Sequence, residues 1–182
     1  MALYEDQIRE LCVNILDQAL TLGEFDATHH IARQLPMRML GRIAGLPEED
    51  LDWLVDKGDA LMANTDGDFT SHVVDKIDTD AYRLMPFRSP AGADLYDYAS
   101  KLMSRQGTGG DASGVLHLIT QPDAQGNVIS DNEFRNFFCL LVAAGNDTTR
   151  YSIAAALHAL ANQPGLMACL LYTSPSPRDA HE

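Results

Sequence analysis

A chain of 182 residues can bury a sizeable core, and 46% apolar with 21% charged residues is the composition of an ordinary globular protein. The formal net charge is −13, and the 13 Lys and Arg are spread without a basic run, which excludes the clustered basic surface that nucleic-acid binding requires. No stretch is long and apolar enough to cross a bilayer, and the first residues lack the features of a secretory signal. Neither nucleic acid nor membrane is therefore expected as a partner, and a cytoplasmic location is the default expectation.

Ile8, Leu11, Cys12, Ile15, Leu16, Ala19 and Leu20 recur at three- and four-residue spacing, which predicts an amphipathic helix stopping near Gly23. Asp26 is a good N-cap for a second helix carrying Ile31, Leu35, Met39, Leu40 and Ile43. Pro36 lies inside it and should kink or split it, and Gly45-Leu46 closes it. Pro47-Glu48-Glu49-Asp50 opens a third helix, with acids at the positive end of the dipole. Its stripe is Leu51, Leu54, Val55, Gly58, Leu61 and Met62. Residues 64–80 are polar and read as a loop.

Pro86 and Pro90 bracket a turn, and Ser89 can cap a helix bearing Leu95, Tyr96, Ala99, Leu102 and Met103. Gly107 to Gly110 breaks the chain again. Val115 to Ile119 is a short apolar piece, followed by a turn or small hairpin around Pro122 to Asn127. Ser130-Asp131-Asn132-Glu133 then fits a capping box, and the helix it starts meets no breaker but Gly145 before Pro164-Gly165. That helix is apolar nearly all round from Phe134 to Ala144, as a buried central helix would be. The expected fold is all-α, built around one long central helix.

Within that helix stands Ala143-Ala144-Gly145-Asn146-Asp147-Thr148-Thr149-Arg150, a run of weak helix formers that costs stability and so calls for a reason. One reason is a local opening of the helix. Gly145 leaves room for close approach, and the Thr148 hydroxyl competes for the carbonyl one turn earlier. Asp147 beside Thr148 is also a candidate proton-relay pair. The plainer alternative is that both side chains face solvent or bond their own backbone. The histidines make no metal site: His29 and His30, being adjacent, should diverge on a helix, and the other four stand alone. Cys12 and Cys139 sit in apolar helical positions and should be buried thiols, and the three cysteines are too few for a disulfide framework.

The segment around Gly145 and Thr148 resembles the oxygen-activating stretch of the long I helix in the cytochrome P-450 family, in its bacterial soluble form. Ser130 to Phe134 matches the start of that helix. Leu35 to Leu40 with Gly45 to Asp50 looks like the E-to-F region, and residues 83–90 look like the F–G connection. The resemblance covers residues 4–168 or thereabouts. It implies a haem-thiolate monooxygenase, with haem b as cofactor, that inserts one oxygen atom of dioxygen into an apolar small-molecule substrate. Electrons would come from a ferredoxin or similar donor.

By the same resemblance, Thr148 would hydrogen-bond dioxygen held at the iron and help deliver protons, with Asp147 linking it to water. Ala144 and Gly145, with Thr148, would lie against the cofactor, while Leu140, Ala143 and Ala144 would line the substrate pocket. For Leu140 and Ala143 core packing is an equal alternative. The family's axial cysteine, in a glycine-rich loop after a Glu-x-x-Arg helix, has no counterpart here, and Cys169 lacks that loop. The expectation is a partial domain over residues 1–168 that alone neither holds haem natively nor catalyses. Residues 169–182 read as a non-native tail, because Cys169 to Asp179 back-translates to a common sequencing adapter. The competing class is a haem-free helical ligand-binding or regulatory domain.

Overall fold

The computed structural model describes residues 2–173 apart from 69, 72, 74, 75, 77, 79 and 107–113. The expected break at Gly107 to Gly110, His72, His181 and the chain from Ser174 onward lie outside the described residues. Seven α-helices and no strand occur among the described residues, in keeping with the all-α expectation.

Helix α1 (Ala2–Leu20) buries Leu11 and Ile15 with Met39 of α2, and Ala19 is buried too, while Ile8, Leu16 and Leu20 of the same stripe stay exposed. Asp26 caps the next segment: its Oδ1 accepts from the backbone N–H of Thr28 at 2.7 Å and of His29 at 3.2 Å. The chain then makes one wide π turn, Thr28–Ala32, closed by the Arg33 N–H to the Thr28 carbonyl, before α2 (Gln34–Ala44) begins. Pro36 explains the split. It has no N–H to give, and its ring crowds the carbonyl four residues back, at Ala32, so the break falls just before the proline. His29 and His30, expected to diverge, instead meet edge to face within this turn, with ring centroids 4.9 Å apart.

Gly45 ends α2 with a φ of +81°, and the Leu46 N–H closes back on the Gly41 carbonyl at 2.8 Å. A 3-10 turn at Glu48–Asp50 leads into α3 (Leu51–Met62). Ser89 caps α4 (Pro90–Gln106) by accepting from the Gly92 N–H at 3.1 Å. Gly92 sits where any Cβ would strike the Pro86 carbonyl. After α5 (Val115–Thr120), Asp123 organises a turn rather than a hairpin, its Oδ1 accepting from the N–H groups of Gln125 and Asn127 at 2.8 Å each.

Helix α6 (Asp131–Asn162) starts with the expected capping box: Glu133 donates its N–H to Ser130 Oγ, and Glu133 Oε2 accepts from the Ser130 N–H. Its 32 residues span about 48 Å, and it packs against α2, α3 and α4. Phe134, Phe138 and Val142 of α6 enter a core with Leu51, Leu54 and Leu61 of α3 and Leu95 of α4. Each such side chain contributes on the order of 2 kcal/mol by leaving water. Tyr98 of α4 links two elements, stacking on Trp53 (4.8 Å) and Phe138 (5.8 Å). At Gln163 the chain turns by 115° into α7 (Pro164–Thr173), which runs on through the junction expected at residue 168. No single helix among the described residues is long and apolar enough to cross a membrane.

Candidate active site

Helix α6 is not buried all round, contrary to the reading of its sequence. Phe134, Phe138, Cys139, Val142, Ala143 and Asn146 are buried, whereas Leu140, Ala144 and Thr148 are exposed. These last three stand four residues apart and form one row along the helix. The reason is the packing: α2, α3 and α4 all lie on the same side of α6, and apolar content alone could not reveal that.

The row brings together Leu140, which is 65% exposed, Ala144 and Thr148, three of the expected site residues. Ala143 does not join them. At 8% exposed it packs in the core. Gly145 is half-buried, and a Cβ there would meet Leu40 Cδ2 of α2 at 2.9 Å, so its smallness lets α2 and α6 approach. The expected local opening is absent: α6 stays α-helical through Gly145 and Thr148. The Thr148 hydroxyl does donate to the Ala144 carbonyl, at 3.2 Å, without breaking the helix.

Asp147 and Thr148 leave the helix on different sides. Asp147 Oδ1 accepts from Arg150 Nη2 at 2.5 Å, and both residues line a polar cavity of about 530 Å³ between the π turn, α3 and α6. The cavity also takes in Asp26, Arg33, Asp59 and Tyr151. Tyr151 supports the Arg150 guanidinium, whose carbon lies 5.0 Å from its ring centre.

At the floor of this cavity lies a cluster that the sequence reading missed. Asp59 of α3 is 3% exposed; its Oδ1 accepts from Asn146 Nδ2 at 3.1 Å and from Arg150 Nη1 at 2.5 Å, and its Oδ2 accepts from Arg33 Nε. Arg33 also donates from Nη2 to Asp56 at 2.6 Å. Burial alone would loosen the Arg33 proton, but the hydrogen bonds to Asp59 and Asp56 outweigh it and raise its pKa. Gly58 makes room for this cluster, since a Cβ there would lie 3.3 Å from Asn146 Nδ2. A signal was present: Asp59 stands four residues after Val55, so a charge sits on the apolar stripe of α3.

Among the described residues no group of three His, Cys, Asp or Glu could hold a metal ion. Cys139 is buried, as expected, and burial pushes its thiol up to about 12. Cys12 is only half-buried, also with a raised pKa, and Cys169 is exposed on α7.

No protein-family model matches the chain. Whole-sequence relatives do. A putative cytochrome P-450 of Mycobacterium tuberculosis is 31% identical, over 95% of this chain and 43% of the relative. The steroid C26-monooxygenase of the same organism is 28% identical over 87% of this chain and 33% of the relative. Among solved structures, a Mycobacterium marinum cytochrome P-450 in complex with pseudoionone superposes with a TM-score of 0.76 at 27% identity, covering 93% of this chain and 39% of that one. Over most of its length the chain is thus similar to cytochromes P-450, and it has their helical fold. It spans between 33% and 43% of the length of these curated relatives.

Proposed function

We propose that the chain is the distal, oxygen-side segment of a haem-thiolate monooxygenase that inserts one oxygen atom from dioxygen into an apolar organic substrate. One observation carries this reading: Leu140, Ala144 and Thr148 form an uncovered row on a helix whose opposite side is core. A flat macrocycle needs a small residue where it approaches a helix, and Ala144 is that residue. Leu140, one turn away, offers apolar contact to a substrate, and Thr148 offers a hydroxyl. These residues fit the oxygen side of haem b.

The cysteines do not fit the thiolate side. Cys139 is buried in the core and holds its proton, and Cys12 lies on α1 with its pKa raised by burial, so neither presents a thiolate. Cys169 is exposed but lacks a glycine-rich loop around it, so on this reading none of the three is the axial ligand, and the chain by itself neither loads haem natively nor turns over. Residues 169–182 are, in the same account, a tail foreign to the fold; Leu171 and Tyr172 are 75% and 92% exposed and bury nothing.

When bound, haem supplies the activation of dioxygen, with electrons from a ferredoxin-like donor. The chain's own residues manage protons and water. The Thr148 hydroxyl donates to the Ala144 carbonyl at rest, and it must release that bond to donate to a guest on the exposed face. Asp147 holds a carboxylate at the edge of the polar cavity, where water can reach it, one residue from that hydroxyl.

The test is Thr148→Ala in the haem-loaded enzyme carrying this segment. Reducing equivalents should still be consumed while peroxide replaces hydroxylated product. Unchanged product yield would remove Thr148 from the reaction.

A further inference from the structure

We propose that Arg150 is a positioning residue for Asp147, and that Asp59 on α3 fixes Arg150 in turn; this rests on the function proposed above. The two ends of one guanidinium serve two carboxylates. Nη1 donates to Asp59 and Nη2 to Asp147, both at 2.5 Å. The group is planar and rigid, so once Asp59 holds one end, the other end has a fixed place. An ion pair three residues apart on a free helix surface would hold its partner loosely. This one is different because the Arg150 side chain is only 14% exposed and Asp59 only 3%.

Asp59 is itself immobilised from two further directions, by Arg33 on the far side and by Asn146 Nδ2. Arg150 Nε and Asn146 Oδ1 are both buried without a protein partner. They are a donor and an acceptor one helical turn apart on α6. The arrangement gives Asn146 a role the sequence did not suggest, as part of the clamp on Arg150. Asp147 is thereby directed into the cavity and kept off the exposed row, where a mobile carboxylate would compete with the guest for the Thr148 hydroxyl.

A lysine carries the same charge but has no fork, so Arg150→Lys separates geometry from charge. In the haem-loaded enzyme, Asp147→Asn and Arg150→Lys should each lower product formation by at least about tenfold, with unchanged haem content. The double variant should be no slower than Asp147→Asn alone, because Arg150 acts through Asp147. Full activity of Arg150→Lys, or losses that multiply in the double variant, would overturn the positioning role while leaving the monooxygenase reading in place. Full activity of Asp147→Asn would remove the relay itself, and the positioning role with it. A second readout needs no turnover. In arginine side-chain NMR of the 182-residue chain, the Arg150 guanidinium should exchange slowly and shift on Asp59→Asn. Exchange as fast as that of exposed Arg9 overturns the proposal.

Discussion

Asn146 of α6 donates its Nδ2 to Asp59 Oδ1 of α3 at 3.1 Å, and at 0% and 3% exposure the pair is among the most deeply buried polar contacts in the chain. A charge so far from water is tolerable only because Arg33 and Arg150 also reach it. Asp59→Ala should therefore strand two guanidinium groups and cost about 3 kcal/mol or more. Urea unfolding of the chain measures it, and a loss below about 1 kcal/mol would mean that the cluster is only a surface network.

Two glycines should behave oppositely when changed to alanine. At Gly92 the added Cβ meets the backbone carbonyl of Pro86, which cannot swing aside, so Gly92→Ala should cost about 1–3 kcal/mol. At Gly145 it meets the end of the Leu40 side chain, which can move, and alanine gains roughly 1 kcal/mol of helix propensity. Thermal unfolding of the two variants should place Gly145→Ala well above Gly92→Ala.

The three thiols should react in order of access. Cys169 is exposed on α7, Cys12 is half-buried with a raised pKa, and Cys139 is buried with its thiol pushed up to about 12. A thiol reagent near neutral pH should modify Cys169 first and leave Cys139 untouched until the chain unfolds. Early labelling of Cys139 would contradict the packing of α6 against α4.

The start of α6 should be acid-sensitive. Glu133 has its pKa lowered, first by the Ser130 hydroxyl and then by the Ser130 N–H. Ionised Glu133 is thus favoured in the folded state. Its contribution is full above the unfolded pKa and disappears as the pH falls from the usual glutamate range through the lower folded value. Ser130→Ala removes the hydroxyl's bonds to the Glu133 N–H and carboxylate while leaving the backbone N–H of residue 130 in place, and should cost about 1 kcal/mol at neutral pH, with less difference from the unsubstituted chain in acid. Equal losses at both pH values would show that the carboxylate takes no part.

Most helix ends were legible because their signals are local. Gly45, the Ser130 capping box and Ser89 each act within one turn of themselves, and each ends or starts a helix where the sequence places it. Pro36 gave the split but not its form, since the π turn depends on what Arg33 finds on α3. The candidate site was half legible. Leu140, Ala144 and Thr148 were named from sequence and share a face, but Ala143 points into the core, and only tertiary packing decides between those directions. The Asp59 cluster joins residues 87 and 91 positions apart, beyond the reach of periodicity, and its one local sign was a charge on an apolar stripe.

In the function proposed above, the open row of α6 is the surface that meets haem. The direct measurement is paramagnetic broadening of labelled methyl signals in the ferric, haem-loaded enzyme carrying this segment. Strong broadening is expected at Leu140, Ala144 and Thr148, on the exposed row, and sharp signals at Val142, on the buried side of the same helix. Broadening centred on Val142 instead, with Ala144 and Thr148 sharp, would contradict it and place any cofactor elsewhere.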